Sequence, residues 1–165
     1  ADGKTIHIDG SSLTTGVLTA VATNEADGIV TITGGNAADL ITSSASDQGD
    51  TLTGGAGNDT FTFADDASFT SLDTVSGGTG TDIITFGDAD TVIDSDFTNV
   101  TSVETLTGYA GASSITVGPL ATAAGIVTIN TGGTAASTVN IPATHTGDLT
   151  VVSQVGGESI LANAA

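Results

Sequence analysis

Short runs of alternating apolar and polar residues recur along the chain, and each leads into a turn that is rich in glycine. Val, Ile and Thr dominate the runs, and a period of two with these residue types is typical of β-strands with one buried face. The pattern predicts an all-β chain in which strands and glycine turns alternate. The predicted strands cover residues 29–33, 51–53, 74–76, 103–107 and 126–130.

The turns follow a nine-residue pattern, G-G-x-G-x-D-x-U-x, in which U is a large apolar residue. Residues 54–62 (GGAGNDTFT) and 77–85 (GGTGTDIIT) match it at every specified position. Residues 34–42 (GGNAADLIT) lack only the glycine at position four. Two further copies keep the frame but have serine, Ser113 and Ser137, where the aspartate is expected. Tandem copies of this nonapeptide indicate a calcium-binding parallel β-solenoid, either a β-roll or a β-helix.

The copies begin at residues 34, 54, 77, 108 and 132, so the repeat is 20–24 residues long except for one interval of 31. A unit of this length cannot bury its own apolar face and must stack on its neighbours. We expect each coil to contain a strand, a glycine turn, a second strand and a return connection. The long interval is interpreted as an acidic loop that bulges from one coil and carries Asp88, Asp90, Asp94 and Asp96.

Three regions follow from the distribution of aspartate among the copies. Residues 1–29 are expected to form an N-terminal cap or first coil, and residues 30–99 the calcium-binding coils. Residues 100–165 are expected to be free of metal, because Ser113 and Ser137 lack a carboxylate. This last region is either more solenoid or a small separate β-domain.

Calcium takes six to eight oxygen ligands from carboxylates and backbone carbonyls. Glycine allows positive φ, so a tight turn can direct its carbonyls toward an ion, and the aspartate closes the turn with a carboxylate. The alternative is a glycine turn in which the aspartate only accepts hydrogen bonds from nearby N–H groups. One turn supplies about half of the ligands, so we expect ions between Asp39 and Asp59 and between Asp59 and Asp82. The turn residues expected to share them are Gly34, Asn36, Gly54, Ala56, Gly77 and Thr79.

A second, weaker column of carboxylates is predicted on the opposite edge. Asp50 and Asp73 each lead into a strand and then into a glycine pair, so residues 45–53 and 54–62 read as adjacent half-turns. The candidate ligands outside the main column are Asp47, Asp50, Asp73, Asp88 and Asp90.

The net charge limits the classes of function that the chain can have. Nineteen acidic residues face one basic residue, Lys4, and give a formal charge of −18. Such a chain cannot neutralise phosphates, which excludes nucleic-acid binding and disfavours anionic membranes. Bound calcium would relieve the repulsion among the carboxylates. The chain has no cysteine, so metal is expected to take the stabilising role of disulfides.

The chain resembles the RTX (repeats-in-toxin) proteins, on the strength of residues 34–42, 54–62 and 77–85. The phrase SVETL at residues 102–106, with the high threonine content, is more weakly similar to bacterial surface-layer and cell-surface proteins. The resemblance implies export, folding triggered by external calcium, and calcium-dependent assembly at the cell surface. The chain departs from RTX tracts by inserting residues between copies. No membrane span or signal sequence is apparent, and we expect a mature or excised segment of a secreted protein.

We expect no enzymatic activity. His7 and His145 are far apart, and neither a nucleophile elbow nor a cysteine nucleophile is present. The first functional hypothesis is a structural protein that self-assembles at the cell surface or in the matrix. The alternative is a calcium-folded binding or adhesin module of a larger type I-secreted protein, with cell-surface polysaccharide as partner. Recurring Thr-x-Thr pairs leave ice binding open as a third hypothesis.

Overall fold

The chain winds as a parallel β-solenoid in the computed structural model, which describes residues 4–46, 48–64, 68–88, 91–133, 135–154 and 156–163. The predicted all-β solenoid fold is therefore confirmed. The strands are β1 (Thr5–Asp9), β2 (Thr19–Val21), β3 (Ile29–Thr33), β4 (Leu40–Thr42), β5 (Thr51–Ala56), β6 (Thr60–Phe63), β7 (Thr74–Thr79), β8 (Ile83–Phe86), β9 (Thr91–Val92), β10 (Val100–Thr101), β11 (Thr105–Thr107), β12 (Ser114–Thr116), β13 (Thr128–Asn130), β14 (Thr138–Ile141), β15 (Thr150–Val152) and β16 (Ser159–Ala162).

The strands form three sheets, and every strand pairing in the described ranges is parallel. Sheet I has the order β1-β3-β5-β7-β10, and sheet II has the order β15-β13-β11-β8-β6-β4-β2. Sheet III has the order β16-β14-β12-β9. Because sheet II receives one strand from each coil, the described residues make seven coils.

The core is a set of apolar columns along the solenoid axis. In sheet II, strand register places the inward side chains of successive coils above one another. They form the buried column Ala20, Ile41, Phe61, Ile84, Leu106 and Ile129. Phe69 lies between β6 and β7, and its ring centroid is 4.8 Å from that of Phe63 and 5.5 Å from that of Phe97. Alternation with period two places the strand residues between the inward positions outward, as predicted.

The long interval is more ordered than the acidic loop that we expected. Residues 91–92 form β9 and Asp94–Phe97 form a 3-10 helix. Asp94 accepts hydrogen bonds from the backbone N–H groups of Gly118 (2.7 Å) and Ala121 (2.9 Å). These bonds hold the start of helix α1 (Pro119–Ala124), which follows β12 and packs against β10.

The C-terminal region continues the solenoid. β11 pairs with both β8 and β13, and β13 pairs with β15, so sheet II crosses residue 100 without a break. The described residues after residue 100 therefore form further coils, the first of the two alternatives. No helix in the described ranges is both long and apolar enough to cross a membrane.

Candidate metal centre along the aspartate column

Three aspartates lie one above another where the chain enters sheet II. Asp39, Asp59 and Asp82 immediately precede β4, β6 and β8, and their side chains are at most 1% exposed. The structure thus brings together the three carboxylates that the nonapeptide predicts to be neighbours. Glu104 holds the equivalent place before β11 and forms the fourth step of the same column.

Each carboxylate in this aspartate column (Asp39, Asp59, Asp82 and Glu104) accepts a hydrogen bond from the backbone of the coil before it. The N–H of Asp39 donates to Oδ1 of Asp59 and the N–H of Asp59 to Oδ1 of Asp82, both at 2.7 Å. The N–H of Asp82 donates to Oε2 of Glu104 at 2.8 Å. These bonds fix one oxygen of each acid and align the column with the coil axis.

The hydrogen bonding of the second carboxylate oxygen, Oδ2, distinguishes the first acid of the column, Asp39, from the next two, Asp59 and Asp82. Oδ2 of Asp39 accepts the N–H of Gly35 at 2.6 Å. Oδ2 of Asp59 and Oδ2 of Asp82 are buried and have no hydrogen-bond partner. The two complete nonapeptides have a different turn, because Gly55 and Gly78 adopt left-handed φ values of 110° and 105° and pair with each other in sheet I.

Each of these unpartnered oxygens and a backbone carbonyl oxygen lie close to the same point, the position that a Cβ on a motif glycine would take. A Cβ atom on Gly54 would clash with Oδ2 of Asp59 and would stand 2.6 Å from the carbonyl oxygen of Gly77. A Cβ on Gly77 would clash with Oδ2 of Asp82 and with the carbonyl oxygen of Ser102. Glycine is therefore needed at the first turn position. A buried carboxylate oxygen without a donor and near a second acceptor oxygen favours a proton or a cation at this position.

The raised pKa values of two acids in the column also indicate that their charged forms are unfavourable in the folded protein. The pKa of Asp59 is raised from 3.8 to about 6, chiefly by burial and to a smaller extent by the charges of Asp82 and Asp39, while the N–H donated by Asp39 lowers it. Burial also raises the pKa of Asp82, with a smaller contribution from the charge of Glu104. The hydrogen bond that each acid accepts therefore compensates its ionised form only in part.

The remaining turn residues of the prediction lie farther out. Asn36 and Thr79 are exposed, and Ala56 is half-buried. The carbonyl of Thr79 accepts the N–H of Gly57 at 2.9 Å, and the N–H of Ala56 donates to the carbonyl of Gly35 at 2.9 Å. These groups join one glycine turn to the next.

The predicted second column exists, but its oxygens all have donors. Asp50 and Asp73 precede β5 and β7 and are each 2% exposed. Asp50 accepts the N–H groups of Val30 (2.9 Å) and Ser44 (2.8 Å). Asp73 accepts the N–H groups of Asp50 and Thr70, both at 2.7 Å. At this corner the carboxylates serve as acceptors for backbone N–H groups.

Of the other acidic candidates, only Asp88 lies in the described ranges, and it joins neither column. Asp88 is exposed in the turn after β8. Asp47 and Asp90 lie outside the described residues.

The serine copies of the nonapeptide lie at a different corner of the solenoid from the aspartate copies. Ser113 and Ser137 precede β12 and β14 in sheet III, whereas the three aspartates precede strands of sheet II. The N–H of Ser113 donates to Oγ of Ser137 at 3.1 Å, so these residues form a short column of their own. The fourth coil adds a third strand, β9, which starts sheet III. The later nonapeptide copies therefore lead into strands of sheet III and no longer into strands of sheet II. The sequence reasoning therefore missed Glu104, although residues 104–106 (ETL) repeat the D-x-U phrase 22 residues after Asp82.

Side chains alone do not make a metal site here. In the part of the chain that the structure describes, no three His, Cys, Asp or Glu side chains gather as metal ligands. A cation in the aspartate column would need backbone carbonyls as well, which is the mixed oxygen set that calcium accepts. Comparison of the chain with protein-family models, curated proteins and solved structures finds no match in any of the three.

Proposed function

We propose that this chain is an extracellular, calcium-dependent structural protein of a bacterial cell surface or matrix. The observation that carries the proposal is the pair of buried carboxylate oxygens, Oδ2 of Asp59 and of Asp82, that face carbonyl oxygens without a donor. Calcium would compensate both charges and bridge successive coils. Carboxylate and carbonyl oxygens are its preferred ligands, and the site offers no nitrogen or sulfur ligand that would favour zinc or copper.

Calcium binding and folding would be coupled in this chain. The formal charge of −18 opposes compaction, and there is no cysteine to form a disulfide. A ligand that binds only the folded state stabilises it by mass action. Calcium in the medium outside the cell would thus favour the solenoid after export, and this link is the basis for proposing a secreted location.

The two ends of the solenoid support self-assembly. One end presents the edge strands β1 and β2 and a cleft of 320 Å³ that includes Ile6 and Val21. The other end presents β15 and β16 and a cleft of 390 Å³ that includes Leu149 and Ala162. Open strand edges are templates for pairing with another chain, and stacking would cover both the edges and the apolar clefts. We propose that copies stack end to end.

Light scattering coupled to size-exclusion chromatography, with calcium or with chelator, tests the assembly. We expect oligomers in millimolar calcium and fewer in chelator. Ile160→Lys places a charge on the end coil, where the side chain is 45% exposed, and should block association. Val127→Lys is the matched control, because Val127 is 47% exposed but lies in an inner coil, between Glu104 and β15. A chain that stays monomeric in calcium refutes assembly without bearing on calcium binding.

A second candidate, an adhesin module, rests on the outer face of sheet II. Although the chain is strongly acidic, the outward positions of all seven strands are uncharged and mostly threonine. They are Thr19, Val21, Leu40, Thr42, Thr60, Thr62, Ile83, Thr85, Thr105, Thr107, Thr128, Asn130, Thr150 and Val152. This face suits a neutral, hydroxyl-rich polysaccharide. Retention on an insoluble neutral glycan that is lost in Thr62→Lys but kept in Thr53→Lys, on sheet I, would favour this candidate, and no retention would exclude it.

A further inference from the structure

We propose that the calcium column is displaced by one coil from where the nonapeptides place it. The cations lie at the Asp59 step and at the Asp82 step. The Asp82 site is completed by Ser102 and Glu104, which belong to no nonapeptide copy, and Asp39 forms a metal-free end of the column. This inference rests on the proposed calcium-dependent function and assigns its sites.

Glu104 repeats the position of an aspartate in the column. Its Oε2 accepts the N–H of Asp82 at 2.8 Å, just as Oδ1 of Asp82 accepts the N–H of Asp59 at 2.7 Å. The carbonyl of Asp82 accepts the N–H groups of Glu104 and Thr105, both at 3.1 Å. The strand that follows, β11, continues sheet II in register with β8. Glu104 therefore brings a second carboxylate to the Asp82 step.

Ser102 takes the place that a glycine of the motif holds one coil earlier. At the Asp59 step, the carbonyl of Gly77 lies beside the unpartnered Oδ2 and the Cα of Gly54. At the Asp82 step, the carbonyl of Ser102 lies in the same way beside the unpartnered Oδ2 and the Cα of Gly77. Ser102 has φ 55° and is the one non-glycine residue in the described ranges with left-handed φ. Such a conformation is strained for a residue with a Cβ atom and persists only where the surroundings require it.

The Asp39 step has a neighbouring carbonyl too, that of Gly54, but it lacks the unpartnered carboxylate oxygen of the other two steps. Oδ1 of Asp39 accepts the N–H of Leu18 and Oδ2 accepts the N–H of Gly35, both at 2.6 Å. Both carboxylate oxygens therefore already have donors. A cation that engaged Oδ2 here would displace the Gly35 bond. At the other end, the carbonyl of Glu104 accepts the N–H of Val127, an apolar residue, so Glu104 is the last acid of the column.

Isothermal titration with calcium chloride, on the whole chain, tests the assignment by stoichiometry. We expect two equivalents for the parent and for Asp39→Asn. Glu104→Gln keeps the size of the side chain but removes its charge, and should lose one equivalent or weaken it at least tenfold. Glu104→Asp restores a carboxylate and should restore the second equivalent, which distinguishes a ligand from a residue needed only for folding. Circular dichroism in calcium checks the fold of each variant.

The outcomes separate this inference from the proposed function. Absence of calcium binding by the parent refutes the function itself. Binding that loses an equivalent in Asp39→Asn but keeps both in Glu104→Gln refutes only the displaced column. Loss of the β-spectrum in both Glu104 variants, even with calcium present, assigns Glu104 a folding role and also refutes it as a ligand.

Discussion

Replacing Asp59 with asparagine separates the structural role of this side chain from its proposed role as a calcium ligand. Asparagine keeps an oxygen for the N–H of Asp39, which donates to Oδ1 at 2.7 Å. It replaces the unpartnered Oδ2 with an amide NH₂ group, which can donate to the nearby carbonyl of Gly77. Asp59→Asn should therefore stabilise the protein in chelator and weaken its stabilisation by calcium.

The magnitude follows from the raised pKa of Asp59. Burial raises that pKa from 3.8 to about 6, a difference of about two units. One unit corresponds to about 1.4 kcal/mol, so ionised Asp59 reduces the free energy of unfolding at neutral pH by up to about 3 kcal/mol. Asparagine has no charge to bury. We expect Asp59→Asn to raise the free energy of unfolding in chelator by about 1–3 kcal/mol.

Urea unfolding followed by circular dichroism, at neutral pH with chelator or calcium, measures both effects. The control is Asp73→Asn, because Oδ2 of Asp73 already accepts the N–H of Thr70 at 2.7 Å. Burial raises the pKa of Asp73 as well, but an amide NH₂ in that position would meet the N–H donor of Thr70, so Asp73→Asn should stabilise the protein less than Asp59→Asn in chelator. If Asp59→Asn is no more stable in chelator than Asp73→Asn, the reasoning from the unpartnered oxygen is refuted.

Three further predictions concern pH, the glycine turn and the core. Because the pKa of Asp59 is raised from 3.8 to about 6, the folded state keeps a proton between these pH values that the unfolded state has lost. In chelator, the melting temperature should therefore fall as pH rises from about 3.8 to about 6, and it should fall less steeply in Asp59→Asn. Equal slopes for the parent and the variant would contradict this. Gly54→Ala should lower the free energy of unfolding, measured in urea, by more than about 3 kcal/mol, because the added Cβ clashes with Asp59. In Gly133→Ala the added Cβ meets no atom within 4 Å, so the loss should be less than about 0.5 kcal/mol. Similar losses in the two variants would exclude the clash. Phe61→Ala removes a fully buried ring and should cost about 3–5 kcal/mol by the same assay, and a cost below about 1 kcal/mol would contradict the core assignment.

The solenoid was predictable because its determinants are local. Residues 29–33 were predicted as a strand and form β3 with the same bounds. The glycine pairs at residues 54–55 and 77–78 follow β-type runs as predicted, although β5 and β7 continue into the glycine turn. Period-two alternation and the steric freedom of glycine act within a few residues, so a single sequence displays them.

The corner that each turn occupies was not predictable from the motif. Ser113 appeared to continue the series Asp39, Asp59 and Asp82, but the true successor is Glu104. The position of a turn around the axis depends on how many sides the preceding coils have, and β9 adds a side in the fourth coil. Glu104 also follows no glycine pair. Only strand register, a non-local property, identifies it.

The sequence also could not predict which carboxylate oxygens have hydrogen-bond donors. Asp50 and Asp59 both precede strands, yet both oxygens of Asp50 have N–H donors and one oxygen of Asp59 has none. The donors of Asp50 come from residues 20 and 6 positions away. Which carboxylate oxygen is left without a donor is therefore decided by packing between coils.

The most direct test of calcium dependence is thermal unfolding of the chain in chelator and in millimolar calcium, followed by circular dichroism. Calcium bound to the aspartate column of the folded state alone predicts a higher melting temperature in calcium, with a shift that is strongly reduced in Asp59→Asn. An unchanged β-spectrum and the same melting temperature in both conditions would contradict calcium as the ion that holds this solenoid together.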